Sequence, residues 1–198
     1  HVLGNHEAEL LAYGRESGKS KELFRELKRR GLKKKEFLAT DSPWGAYLRS
    51  LPLAARVGRW LFCHAGLLPD LRWDEFVARA DTALAAGQYD DPLLLGERSI
   101  LEAKDWWTEP AFRAAYLKRL SGESLWGVVH GHQPKAFGIK NKAGGVEGGR
   151  LIKIDTGVSP EGGSNPGVVL SFEQPAQLNH MKQPDIETMS SLGKTRKL

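Results

Sequence analysis

Apolar positions recur at helical spacing in residues 19–30, where Leu23, Phe24 and Leu27 share one side and Gly31 stands where such a run stops. A second helical turn is predicted at 44–51, from Trp44, Tyr47, Leu48 and Leu51 after the capping signal Asp41-Ser42-Pro43. Residues 59–63 form a short apolar run that breaks at His64-Ala65-Gly66, the pattern of a buried strand. Residues 73–86 and 110–120 read as helices, the second with Phe112, Ala115, Tyr116 and Leu120 along one side; residues 93–107 between them read as helix and loop. After Gly122 the period changes. Short β-type runs occupy 125–129, 136–140, 151–155 and 168–172, separated by glycine-rich turns, so 140–150 reads as a hairpin connection.

Strands interleaved with helices and followed by hairpins predict an α/β protein whose sheets are covered by helices. From Gln174 the chain is polar and aperiodic, which predicts a domain over 1–173 and an unstructured tail over 174–198. At 198 residues a single domain is expected, and 40% hydrophobic content with six tryptophans is enough for a core. No apolar run approaches the ~20 residues of a membrane span, so no membrane partner is expected. Cys63 is the one cysteine, which excludes an internal disulfide and fits a reducing, cytoplasmic setting. The chain opens on His1 rather than Met, and its natural beginning is expected to be absent.

The net charge is +5, and six of the basic residues crowd into 28–35. That run reads as a solvated helix end, since cations favour a helix carboxyl terminus and no aromatic residues interleave with them. No nucleic-acid partner is expected.

The chemistry concentrates at three places where a strand-like run ends beside a glycine and a histidine: Gly4-Asn5-His6-Glu7, His64-Ala65-Gly66 and His130-Gly131-His132-Gln133. The carboxyl ends of strands are where α/β proteins build ligand sites. One such histidine is more often a structural residue than a ligand; three in one chain point to a site. Imidazole nitrogen with amide and carboxylate oxygen suits Mn, Fe or Zn.

Gly4-Asn5-His6-Glu7, His64-Ala65-Gly66 and Gly131-His132, in that order, resemble the second half of the calcineurin-like metallophosphoesterase signature. With Ile154-Asp155-Thr156-Gly157 they are similar to the bacterial branch related to serine/threonine protein phosphatases, the Shewanella-like phosphatases among them. The resemblance covers residues 1–172. It implies a four-layer α/β/β/α metallophosphatase sandwich lacking its first strands. It implies Asn5, His64 and His132 as metal ligands, His6 as the acid that protonates the leaving oxygen, and two divalent ions, Mn first with Fe or Zn as alternatives. The activity implied is hydrolysis of phosphomonoesters of the serine/threonine phosphoprotein type. A dinucleoside polyphosphate or other small phosphoester is the alternative substrate, and an inactive phosphatase-like binding module the alternative of another class.

The chain also departs from that family. The Asp-x-His and Gly-Asp-x-x-Asp-Arg-Gly motifs lie upstream of the Asn motif, and only four residues precede Asn5 here. The bridging carboxylate and a phosphate-binding Arg are therefore missing, and this stretch alone is expected to be poorly active. His132 is followed by Gln133-Pro134 rather than by a further histidine, and His130 is an alternative to His132 as ligand. Glu7 reads as a loop brace, Asp155 as a turn residue, Cys63 as a small buried strand residue and Trp106-Trp107 as packing. Lys104 and Arg98 remain unassigned, so no residue is given to substrate binding.

Overall fold

The computed structural model describes residues 1–13 and 20–157, together with two short strands, Ile186–Thr188 and Arg196–Lys197. Four helices come first: α1 (Asn5–Tyr13), α2 (Ser20–Arg29), α3 (Lys34–Leu38) and α4 (Pro43–Ser50). A tight hairpin follows, β1 (Ala54–Val57) and β2 (Trp60–Cys63), then α5 (Trp73–Ala85) and α6 (Pro110–Gly122). The remaining strands are β3 (Gly127–His130), β4 (Gly144–Val146), β5 (Leu151–Lys153), β6 (Ile186–Thr188) and β7 (Arg196–Lys197).

The seven described strands belong to one sheet in the order β4-β5-β3-β2-β1-β6-β7. β2, β3 and β5 run parallel to one another, whereas β1 and β4 are antiparallel to their neighbours. Parallel strands need cover on both faces, and all four residues of β3 are buried. Leu61, Val128 and Leu151 from the three parallel strands are fully buried in a core that includes Phe76 of α5 and Leu120 of α6. The parallel arrangement has a direct consequence for the site. The carboxyl ends of β2, β3 and β5 emerge at the same end of the sheet, so the loops carrying His64, His132 and Asp155 leave it side by side.

Local chemistry explains most of the elements. Ser42 caps α4, its hydroxyl oxygen accepting the Gly45 N–H at 2.9 Å, with Pro43 in the first turn. The two residues Gly58 and Arg59 close the β1–β2 hairpin, Gly58 at a φ of +58°. The stretch 93–107 is a chain of turns, yet it places Leu94, Ile100 and Leu101 in the core with essentially no exposure.

Several expectations change. The four-layer sandwich with two stacked sheets is not what forms: the described strands make one mixed sheet with helices. The run 136–140, read as a strand, is a 3₁₀ turn over Ala136–Gly138 with Phe137 at a φ of +58°, incompatible with extended pairing. The hairpin is instead β4 against β5, and α1, α3 and β1 were not predicted. Residues 174–198, read as an unstructured tail, contribute β6 and β7; the rest of that segment and the predicted strand at 168–172 lie outside the described residues. No described helix is long and apolar enough to cross a membrane.

Candidate functional site

Asn5 opens α1 and is buried, while His6 beside it is exposed. The Glu7 carboxylate turns back and accepts the Gly4 N–H at 3.1 Å, bracing the first turn as expected. His64 follows β2. Its Nε2 lies 2.9 Å from Oδ1 of Asn5 and 3.1 Å from Nδ1 of His132, and the two imidazole rings meet edge to face at 4.9 Å. Asn5, His64 and His132 therefore converge from three separate segments. A backbone bond ties two of these segments together, the Gly131 N–H donating to the His64 carbonyl at 3.0 Å.

His132 reaches the cluster because the chain turns abruptly. The Gln133 N–H donates to the Gly131 carbonyl at 2.8 Å across His132, whose φ is +66°. This is a γ-turn with a positive-φ central residue, a rare and strained form that persists only where its surroundings hold it. The Gln133 side chain contributes, its Oε1 accepting the Asp105 N–H at 3.2 Å.

His130 is the alternative ligand that the structure removes from the cluster. Its Nδ1 donates to the Gly131 carbonyl at 3.0 Å, and its ring lies among Trp106, Trp107 and Phe137 with centroids 5.4 to 6.1 Å away. Burial among these rings pushes its pKa down to about 4, so it is a neutral packing residue near neutral pH. Gly66 makes room for it: its φ is +82°, and a Cβ there would stand 2.6 Å from Cγ of His130.

Two residues that hold the His64 loop are not assigned to the site by the sequence. The Tyr116 hydroxyl, from α6, donates to the Gly66 carbonyl at 2.8 Å and accepts the Leu68 N–H at 3.1 Å. Trp106 Nε1 donates to the Ala65 carbonyl at 3.0 Å. Tyr116 sits at a helix-face position and Trp106 in an unpatterned stretch, where periodicity reports burial and nothing about hydrogen bonds. Asp155 has the predicted turn role, its Oδ1 accepting the Gly157 N–H at 2.8 Å. Arg98 stacks over the Phe112 ring at 5.2 Å.

A dinuclear metal centre here would have to be held by these converging groups. Two dications ~4 Å apart repel strongly and require anionic oxygen between them. The converging groups are neutral, one amide and two imidazoles, and no three of His, Cys, Asp or Glu form a metal-holding group among the described residues. The residues present do not fit a dinuclear centre.

No family model and no curated protein matches the chain. Solved structures do resemble it in fold. A cold-active protein tyrosine phosphatase structure at 1.1 Å shares 15% identity with a TM-score of 0.55, covering 100% of this chain and 56% of that one. The cold-active protein tyrosine phosphatase of a psychrophilic Shewanella species shares 16% identity at a TM-score of 0.54, covering 100% and 57%. A point mutant of a cold-active protein tyrosine phosphatase gives 16%, 0.54, 100% and 58%. The chain thus spans a little over half the length of these neighbours.

These findings correct the reading taken from the sequence. The resemblance to calcineurin-like metallophosphoesterases is matched by no family model, and the neighbours are described as tyrosine phosphatases, not serine/threonine phosphatases. The two divalent ions, Mn or otherwise, and the two-metal hydroxide mechanism built on them fall with the absence of a carboxylate-bearing metal group among the described residues.

Proposed function

We propose that this chain carries part of the active centre of a phosphoric ester hydrolase, and that Asn5, His64 and His132 receive the phosphoryl group of a phosphorylated substrate. One observation carries the reading. Nδ2 of Asn5 is buried without a hydrogen-bond partner, on the same carboxamide whose oxygen meets His64. A buried amide donor is costly unless an oxygen meets it. It also stands in the first turn of α1, where the helix dipole favours an anion. The neighbours' identity as tyrosine phosphatases supports a phosphotyrosyl substrate in particular.

Within this reading the phosphoryl oxygens accept from Asn5 Nδ2 and from the imidazoles. A water oxygen bonds to phosphorus as the ester P–O bond breaks; His6 hands its proton to the leaving oxygen, and the proton shed by the attacking water restores His6 by way of solvent. A phenolate demands that proton less than an alkoxide, so His6 matters more for serine esters than for tyrosine esters. Cys63 takes no part: it is buried, and burial pushes its thiol up to about 12.

The test is hydrolysis of p-nitrophenyl phosphate and of a phosphotyrosyl peptide by the full-length protein, beside Asn5→Ala, His6→Ala and His64→Ala. Wild-type turnover in the Asn5 and His64 variants removes the reading. A divalent cation that survives dialysis and is lost in His64→Ala would show the cluster holding an ion in place of the phosphoryl oxygens, and would overturn this assignment of its atoms.

A further inference from the structure

Lys153, the last residue of β5, has no solvent exposure, and the function proposed above does not use it. Its ammonium donates to the Pro134 carbonyl and, at 2.9 Å, to the Asp155 carbonyl. The first acceptor lies in the loop that carries His132 and the second in the loop that follows β5. Lys153 also stands directly opposite His130 in the parallel register, so it reaches across the place where β3 ends and the γ-turn begins.

A buried amine at this position is a poor packing choice. An aliphatic side chain of the same length would fill a core site without losing the hydration of a charge. The desolvation is real: burial holds the Lys153 ammonium below its usual range, against the opposing pull of Asp155. What the amine supplies is N–H donors aimed at two loop carbonyls. Pro134 is two residues past His132, and its carbonyl also accepts the Asn141 N–H at 2.9 Å, so the far side of the strained turn is anchored from two directions. A positive-φ histidine keeps its conformation only when such anchors over-determine it.

We propose that Lys153 is a positioning residue, which holds the γ-turn at His132 and thereby sets the imidazole of His132 against His64. The catalytic part of this inference rests on the phosphatase reading, and its structural part does not. Lys153→Met keeps the length and removes the donors, while Lys153→Arg restores donors. Both are to be made in the full-length protein, alone and combined with His132→Ala. The expected result is a fall in kcat on p-nitrophenyl phosphate of tenfold or more for Lys153→Met, partial rescue by Lys153→Arg, and no further loss when Lys153→Met is added to His132→Ala. A residue acting through His132 gives that non-additivity, whereas general destabilisation lowers activity in both backgrounds.

A second readout needs no turnover. In protein labelled with ¹⁵N at histidine, Lys153→Met should shift the ring resonances of His132 and His64 and leave His6 in place. Unchanged His132 and His64 resonances, or additive losses with His132→Ala, overturn the inference. If His132→Ala leaves turnover intact, the phosphatase reading fails by itself, and the resonances still decide the role of Lys153. If Lys153→Met does not fold, Lys153→Arg carries the same resonance test, with retained His132 and His64 signals expected and their loss contradicting donor-based anchoring.

Discussion

Oδ1 of Asn5 and Nε2 of His64 lie 2.9 Å apart although 59 residues separate them in the chain. The contact joins the first turn of α1 to the end of β2 and leaves the amide nitrogen of Asn5 facing no partner. Asn5→Asp isolates the value of that nitrogen. It keeps an oxygen for His64, replaces the donor with an acceptor and adds a negative charge where a phosphoryl group is to bind. Removal of one preorganised donor at an oxyanion costs roughly 10²–10³ in turnover, and kcat on p-nitrophenyl phosphate is the measurement. A loss below tenfold would mean that Asn5 does not touch the phosphoryl group.

The members of this cluster stood out in the sequence because Asn5 and His132 each follow a glycine and His64 stands two residues before Gly66, all at the ends of apolar runs, a local signal. What held them there was not. Tyr116 reads as one more residue on a helical face, and Lys153 as a polar position at the end of a strand. Strand alternation does not separate His130 from His132; the preference for His132 rests on the Gly131-His132 motif. β3 ends at His130, so the alternation that would put both side chains on one face stops there, and the positive φ of His132 redirects its ring. Phe137 defeats the strand predicted at 136–140 in the same way. The single sheet follows from pairings distant in sequence, such as β1 with β6, and no local window reports those.

Tyr116→Phe tests the clamp on the His64 loop. The substitution removes one hydroxyl and strands two buried backbone groups, the Gly66 carbonyl and the Leu68 N–H. Leaving buried partners unmade costs about 1–3 kcal/mol, so the thermal midpoint should fall by roughly 5 °C. Turnover should fall with it, since His64 sits two residues from the released carbonyl. An unchanged midpoint in a thermal melt would show that the loop is held by Trp106 instead.

His130 makes stability depend on pH. Its pKa in the fold is pushed down to about 4, chiefly by burial, from an ordinary value of 6.5. Between those values the unfolded chain binds a proton that the folded chain refuses, so stability is fully present above 6.5 and is lost as the pH falls towards 4. The loss attributable to this group approaches about 3 kcal/mol at the acid end. His130→Phe keeps a ring among Trp106, Trp107 and Phe137 and removes the titration. Urea unfolding at pH 7 and at pH 4.5 should show a smaller acid loss in the variant than in the wild type. Equal losses would place the acid sensitivity elsewhere, in carboxylates.

Cys63 distinguishes the chemistry proposed here from thiolate catalysis. A phosphatase that attacks through cysteine needs an accessible thiolate near neutral pH, usually with its pKa lowered by cations or a helix amino terminus. Cys63 has the opposite surroundings. It ends β2 inside the core, and burial raises its thiol to about 12, outweighing a backbone hydrogen bond from Gly66. At pH 8 less than about one thiol in a thousand is ionised at such a pKa, and the sulfur is covered. Iodoacetamide should therefore leave the native protein unlabelled by mass spectrometry while labelling it fully in urea, and Cys63→Ala should hydrolyse p-nitrophenyl phosphate within about twofold of the wild-type rate. If alkylation of the native protein at this residue abolishes turnover, the phosphoryl group is transferred to sulfur, and the histidine cluster serves another purpose.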